Sequence, residues 1–166
     1  MIEDQNNTHT SNGVKYRIPS HPDIIVALGR VVWNFLYIEE AVVAILFLSN
    51  EKTLEAARSL MAGQKTNALR ALHAKLSTNN APQDLLDSLK DATDKFEIIT
   101  REIRNPVFHS GLFTAAYSDE GVLLPGMQLV DKYNKKTDLT TPDQIHTLAL
   151  NIEKTMDSLS LVRSKL

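Results

Sequence analysis

The chain has 166 residues, 43% of them hydrophobic and 23% charged, which fits one globular domain with a sizeable core. Its net charge of −2 excludes a global basic field for non-specific nucleic-acid binding, so any such site must be local. It has no cysteine, which excludes disulfides, thiolate metal sites and cysteine nucleophiles and suits a reducing, cytoplasmic setting.

Residues 1–13 are polar and hold no apolar signal-peptide core. Residues 1–19 therefore read as a disordered N-terminal tail ahead of a helical domain at 20–166. The most hydrophobic segment, 24–48, is long enough to cross a bilayer, but Arg30, Asn34, Glu39 and Glu40 interrupt it. Each glutamate would cost about 2.5–3.5 kcal/mol there, so no membrane partner is expected.

Ser20-His21-Pro22-Asp23 predicts a helix start, with Ser20 as cap and Asp23 at the positive end of the helix dipole. The helix runs to about Leu48. Its apolar residues, among them Ile24, Leu28, Val31, Phe35, Ile38, Val42 and Ile45, cover nearly every face. A helix apolar all round is buried on more than one side, which implies a second contact surface, a partner subunit.

A second helix is predicted from about Thr53 to Ser77, loosened midway by Gly63. Gly63-Gln64-Lys65-Thr66 faintly resembles the end of a phosphate-binding loop but lacks its upstream glycine, so Lys65 reads as an exposed helix residue. A third helix follows Asn80-Ala81-Pro82, with an apolar seam of Leu85, Leu89, Ala92, Phe96, Ile99 and Ile103. Residues 112–131 read as a small hairpin turning at Ser118-Asp119-Glu120-Gly121. Thr141-Pro142-Asp143-Gln144 is a capping box opening the last helix. The fold expected is mainly α: an up-down bundle of four main helices with a small β-hairpin inserted before the last.

Metalloprotease, nucleophile-elbow and dinucleotide signatures are absent, as is the Glu-x-x-His pair of di-iron bundles, so neither a metal nor a cofactor is expected. Of the five histidines, His109 stands out for its neighbours, Arg104-Asn105-Pro106-Val107-Phe108-His109. Asn105 precedes proline and is biased away from helix, so the third helix could break at Arg104 and restart with Asn105 as cap. Alternatively, Pro106 only kinks one continuous helix. Arg104 and His109 would lie about 140° apart on a straight helix, at about 100° per residue, whereas a break lets both enter one cleft. Asp94, Glu97, Arg101 and Arg104 share the helix face opposite the apolar seam. That face is either solvated, with a Glu97–Arg101 pair, or one wall of a groove in which the arginines hold phosphate.

The stretch Arg104 to His109 resembles the signature of the HEPN superfamily: an arginine, a polar residue next to it, and a histidine separated from the arginine by four to six residues, here four. Leu28-Gly29-Arg30 followed by Glu39 on the long first helix is similar to some members. The resemblance implies a homodimeric helical protein, often a metal-independent endoribonuclease of toxin–antitoxin, phage-defence or RNA-processing systems. Two motifs would form a composite cleft across the dimer. Arg104 would bind the scissile phosphate, His109 would transfer protons, and Asn105 would orient the site or the backbone. Arg101 and Glu97 would contribute to binding. The substrate would be RNA, transfer RNA among the candidates, and a cognate antitoxin could be a further partner. The chain departs from the family in Pro106, and in Gly111 where some toxin members carry a modifiable tyrosine. Some members carry a nearby acidic residue, for which Glu97 and Glu102 are the two candidates. Members that bind RNA, a nucleotide or a protein without cleavage leave a binding module as the alternative.

Overall fold

The computed structural model describes the backbone at 8–11, 14–17, 22–109, 111–119, 122–130 and 140–166, and side chains at 22–107 and 140–166. The described chain is mainly helical. Helix α1 spans Pro22–Leu48, α2 Leu54–Arg58, α3 Ala62–Thr78, α4 Gln83–Ile99, α5 Asn105–His109 and α6 Pro142–Lys165. A π-helical turn at Thr100–Arg104 joins α4 to α5. Strands β1 (Thr8–Ser11) and β2 (Val14–Arg17) pair antiparallel within the expected tail, as do β3 (Gly111–Asp119) and β4 (Val122–Val130) ahead of α6. Ser20 and His21 of the expected first cap, and Glu120 and Gly121 of the expected turn, lie outside the described residues.

Local chemistry sets the helix ends. After α1, Asn50 takes a left-handed φ of 57°, and the Glu51 N–H returns to the Leu46 carbonyl. After α3, Asn80 takes φ 54°, and the Ala81 N–H returns to Leu76. Asparagine tolerates this conformation better than most residues and closes helices that way. At α6 the expected capping box forms: Gln144 N–H donates to Thr141 Oγ1, and Thr141 N–H donates to Gln144 Oε1.

The single helix expected from Thr53 to Ser77 is instead two. Thr53 caps α2 through the Ala56 N–H, and α2 ends at Arg58. Met61 is extended, with φ −67° and ψ 158°, and its N–H donates to the Gln64 side chain, which starts α3. Gly63 thus sits in the first turn of α3 rather than midway along a helix.

The core is built from one face of α1, against α6 and α3, and from the α4 seam, which packs on α3 and α6. Phe35 and Phe96 stack at its centre, ring centroids 6.2 Å apart. Of the expected seam, Leu85, Leu89, Ala92, Phe96, Ile99 and Ile103 are all buried. Helix α1 is long and apolar enough to cross a membrane, yet residues such as Ile24, Val31, Ile38 and Ile45 are buried in this core.

Lys65 is not the exposed residue expected. It lies in the α1–α3 contact, 5% exposed, with its Nζ 3.5 Å from Glu39 Oε1. The break at 59–61 resets the helix phase, so Lys65 faces inward and needs a counter-charge. Removing one partner of such a pair costs more than removing both. Glu39→Leu alone should lower unfolding free energy by about 3 kcal/mol in urea titrations, while Glu39→Leu with Lys65→Met should return it to near the native value.

Two clamps tie α4 to α6. Lys95 donates to Asp91 at 2.7 Å and to Ser158 at 2.8 Å, and Ser158 donates to Asp91 at 3.0 Å. Lys165 sits 3.1 Å from the Asp84 carboxylate and donates to Ser88. The lysine ammonium in each clamp holds the Asp91 and Asp84 carboxyls below their ordinary values. A folded-state pKa below the unfolded one, about 3.9, adds stability above that value and loses it as pH falls through the folded pKa. Acid unfolding followed by circular dichroism should therefore have a flatter limb below about pH 4 in the Asp84→Asn/Asp91→Asn variant.

Candidate phosphate-binding groove

The Arg-Asn-Pro segment lies in continuous helix. Asn105 is helical, with φ −63° and ψ −45°, and its N–H bonds the Thr100 carbonyl five residues back. The break at Arg104 with Asn105 as cap does not occur; the continuous alternative does. The physical reason lies at Pro106. In unbroken α spacing its ring would press on the carbonyl of residue 102, and it has no N–H to donate. The chain widens into a π turn immediately before it, a common way for a helix to absorb such a defect.

Beside this turn lies a groove of about 610 Å³. One wall is the start of α3, with Met61, Ala62, Gly63, Gln64 and Asn67. The other is α4, the π turn and the first residue of α5, with Glu97, Arg101, Arg104 and Asn105. Thr66, Arg70 and Thr100 also line it. Four of the residues singled out from sequence, Arg104, Asn105, Arg101 and Glu97, therefore share one groove. The fifth, His109, is the last residue of α5, and its side chain lies outside the described residues. On the helix that carries both, its Cα is about 140° around the axis from that of Arg104, from about 100° per residue.

The ion pairs differ from the expected Glu97–Arg101 pair. Glu97 bonds Arg70 across the groove, joining α3 to α4. Arg101 pairs with Glu102 at 2.9 Å, and that carboxylate raises the Arg101 pKa above its already high ordinary value. Asp94, on the same face, pairs with Lys90 and does not line the groove. Arg104 Nη1 donates to Asn105 Oδ1 at 3.2 Å, and its guanidinium carbon stands 6.0 Å from the Phe35 ring centroid. The aromatic core thus holds Arg104 from beneath. Three guanidinium groups and one carboxylate line the groove, a positive patch on a chain whose net charge is negative.

Sequence reasoning missed three contributors: Arg70, Thr100 and the first turn of α3. Arg70 and Thr100 carry no motif. The α3 start was hidden because the segment read as one helix. Among the described residues, no three of His, Cys, Asp or Glu come together in a metal-ligating group. Compared with protein-family models, with curated proteins and with solved structures, the chain has no match.

A site arginine should be separable from the fold. Arg104→Ala loses, among its contacts, a cation–π contact and an exposed hydrogen bond, together about 1 kcal/mol. Urea unfolding should register a loss of that order, and a loss above about 3 kcal/mol would make Arg104 a structural residue instead.

Proposed function

We propose that this chain is a HEPN-like, metal-independent endoribonuclease that acts as a homodimer in the cytoplasm, with a defence or toxin–antitoxin role as the setting. On this reading its long helices form an up-down bundle of four, and β3–β4 is a hairpin inserted before the last. The observation that carries the reading is the gathering of Arg101, Arg104 and Asn105 with Arg70 in one groove. A cationic groove with a preset guanidinium suits a phosphodiester better than an apolar ligand.

The roles follow from chemistry. Arg104 holds a non-bridging oxygen of the scissile phosphate and offsets the charge that grows there. Asn105 accepts from Arg104 and so limits its orientation. The RNA 2′-hydroxyl gives its proton to one His109 and attacks phosphorus. The bond to the 5′-oxygen breaks, and that oxygen takes a proton from a second His109. The products are a 2′,3′-cyclic phosphate and a 5′-hydroxyl, and no water or metal is consumed.

Two histidines require two copies. The exposed side of α1 supports a second copy: Val26, Trp33, Leu36 and Tyr37 are all more than half exposed, Trp33 by 69%. Trp33 and Tyr37 also line a shallow cleft of about 330 Å³ against Met156 and Asp157 of α6. Large apolar side chains clustered on one face mark an interaction surface.

The test is cleavage of total RNA and of a labelled oligoribonucleotide with chelator present. Native protein should cut to cyclic-phosphate ends, and Arg104→Ala and His109→Ala should each lose at least about a hundredfold in rate while staying folded dimers. If no diverse RNA is cut but RNA is still bound, and binding survives His109→Ala, the non-catalytic binding module replaces the enzyme.

A further inference from the structure

The four buried threonines among the described residues behave differently. Thr66, Thr93 and Thr155 each donate to the carbonyl four residues back. Thr100 is 7% exposed, and its hydroxyl has no hydrogen-bond partner among the described residues. Thr100 opens the π turn and lines the groove. A buried hydroxyl without a partner costs free energy, and a ligand that bonds it recovers that cost.

Across the groove, α3 begins without a side-chain cap of the Ser, Thr, Asp or Asn type, since Met61 holds that position. The first N–H groups of any helix have no partner within it, and they carry the positive end of the dipole. Here those groups belong to Ala62 and Gly63. A Cβ built on Gly63 meets nothing within 4 Å, so the backbone is open at this point. Arg101, ion-paired with Glu102 at 2.9 Å, brings its guanidinium to the opposite wall. A helix start, a guanidinium and an unpartnered hydroxyl around one groove form a three-sided anion site. The volume of about 610 Å³ suits a nucleotide-sized group.

We infer that this end of the groove is a second phosphate seat, distinct from the one Arg104 would serve, formed by the Ala62 and Gly63 N–H groups, the Thr100 hydroxyl and Arg101. It rests on the reading of the groove as an RNA site. It takes the phosphodiester neighbouring the scissile one and so fixes the strand's register on Arg104. It contributes to binding rather than to the bond-breaking step.

Amide NMR of the full chain, titrated with inorganic phosphate and with a 2′-O-methyl oligoribonucleotide that cannot be cut, tests the seat. Both ligands should shift the amides of Ala62, Gly63 and Gln64. Gly63→Asp places a carboxylate in the seat where there is room for it and where an acid favours the helix, so the variant folds. It should abolish those shifts and weaken the oligonucleotide about tenfold, and Thr100→Val should weaken it several-fold. Cutting by Gly63→Asp should show a raised KM with kcat within about twofold of native. Unmoved amides at 62–64, or equal affinity in Gly63→Asp and native protein, would overturn the seat even if Arg104→Ala abolishes cutting. If native protein neither cuts nor binds RNA, yet phosphate moves these amides and Gly63→Asp stops it, the seat stands and the ribonuclease reading falls.

Discussion

One missing hydrogen governs the site end of this molecule. Pro106 has no amide proton, and its ring would crowd the carbonyl one turn earlier in ordinary α spacing. The helix answers by widening over Thr100–Arg104, with Asn105 bonding Thr100 across five residues. A π turn changes the direction in which every later residue leaves the axis. Arg101, Arg104 and Asn105 then line the same groove as the start of α3. A break at Arg104 would have set α5 at a new angle. The continuous helix instead transmits the α4 orientation, fixed by the core, directly to the arginines.

Helix α1 serves two surfaces at once. Its inner face carries Phe35, which stacks on Phe96 of α4 and underlies the Arg104 guanidinium. The site is thus anchored to the buried core, where displacement of a ring is resisted by close packing. Its outer face leaves Trp33, Leu36 and Tyr37 to solvent in the single chain. Glu39 lies between these roles and neutralises Lys65, which the α2–α3 break turns inward. That pair adds little net stability against an apolar replacement, but its two halves cannot be removed separately without cost.

What was legible in the sequence is what depends on periodicity and capping. The α4 seam, the Thr141–Gln144 capping box and the extent of α1 were all readable because apolar spacing and cap chemistry are local. The break at Ser59-Leu60-Met61 was not, because it rests on a side chain reaching back, Gln64 to the Met61 N–H, with no glycine or proline at the break itself. That one omission also misplaced Lys65 and hid the α3 start as a wall of the groove. Glu97, Arg101 and Arg104 were readable as a helix face, and Asn105 as the residue beside Arg104 in the Arg-Asn-Pro segment. Arg70 was not, because its place opposite Glu97 comes from the packing of α3 on α4 and has no signature in either helix. The choice between a broken and a kinked helix at Pro106 could not be made from sequence, since proline permits both and the neighbouring turns decide.

The continuous helix bears on how the proposed enzyme would be assembled. With about 100° per residue, the Cα atoms of Arg104 and His109 stand about 140° apart on one helix axis. Backbone positions so far apart around one axis are poorly arranged to serve a single phosphate from one copy, whereas a second copy packed against this helix would bring its histidine to the first copy's arginine. A monomeric enzyme would have needed the break that Pro106 allows and the structure does not adopt. On the proposed reading, then, association is a condition of the chemistry and not merely a way to cover apolar surface.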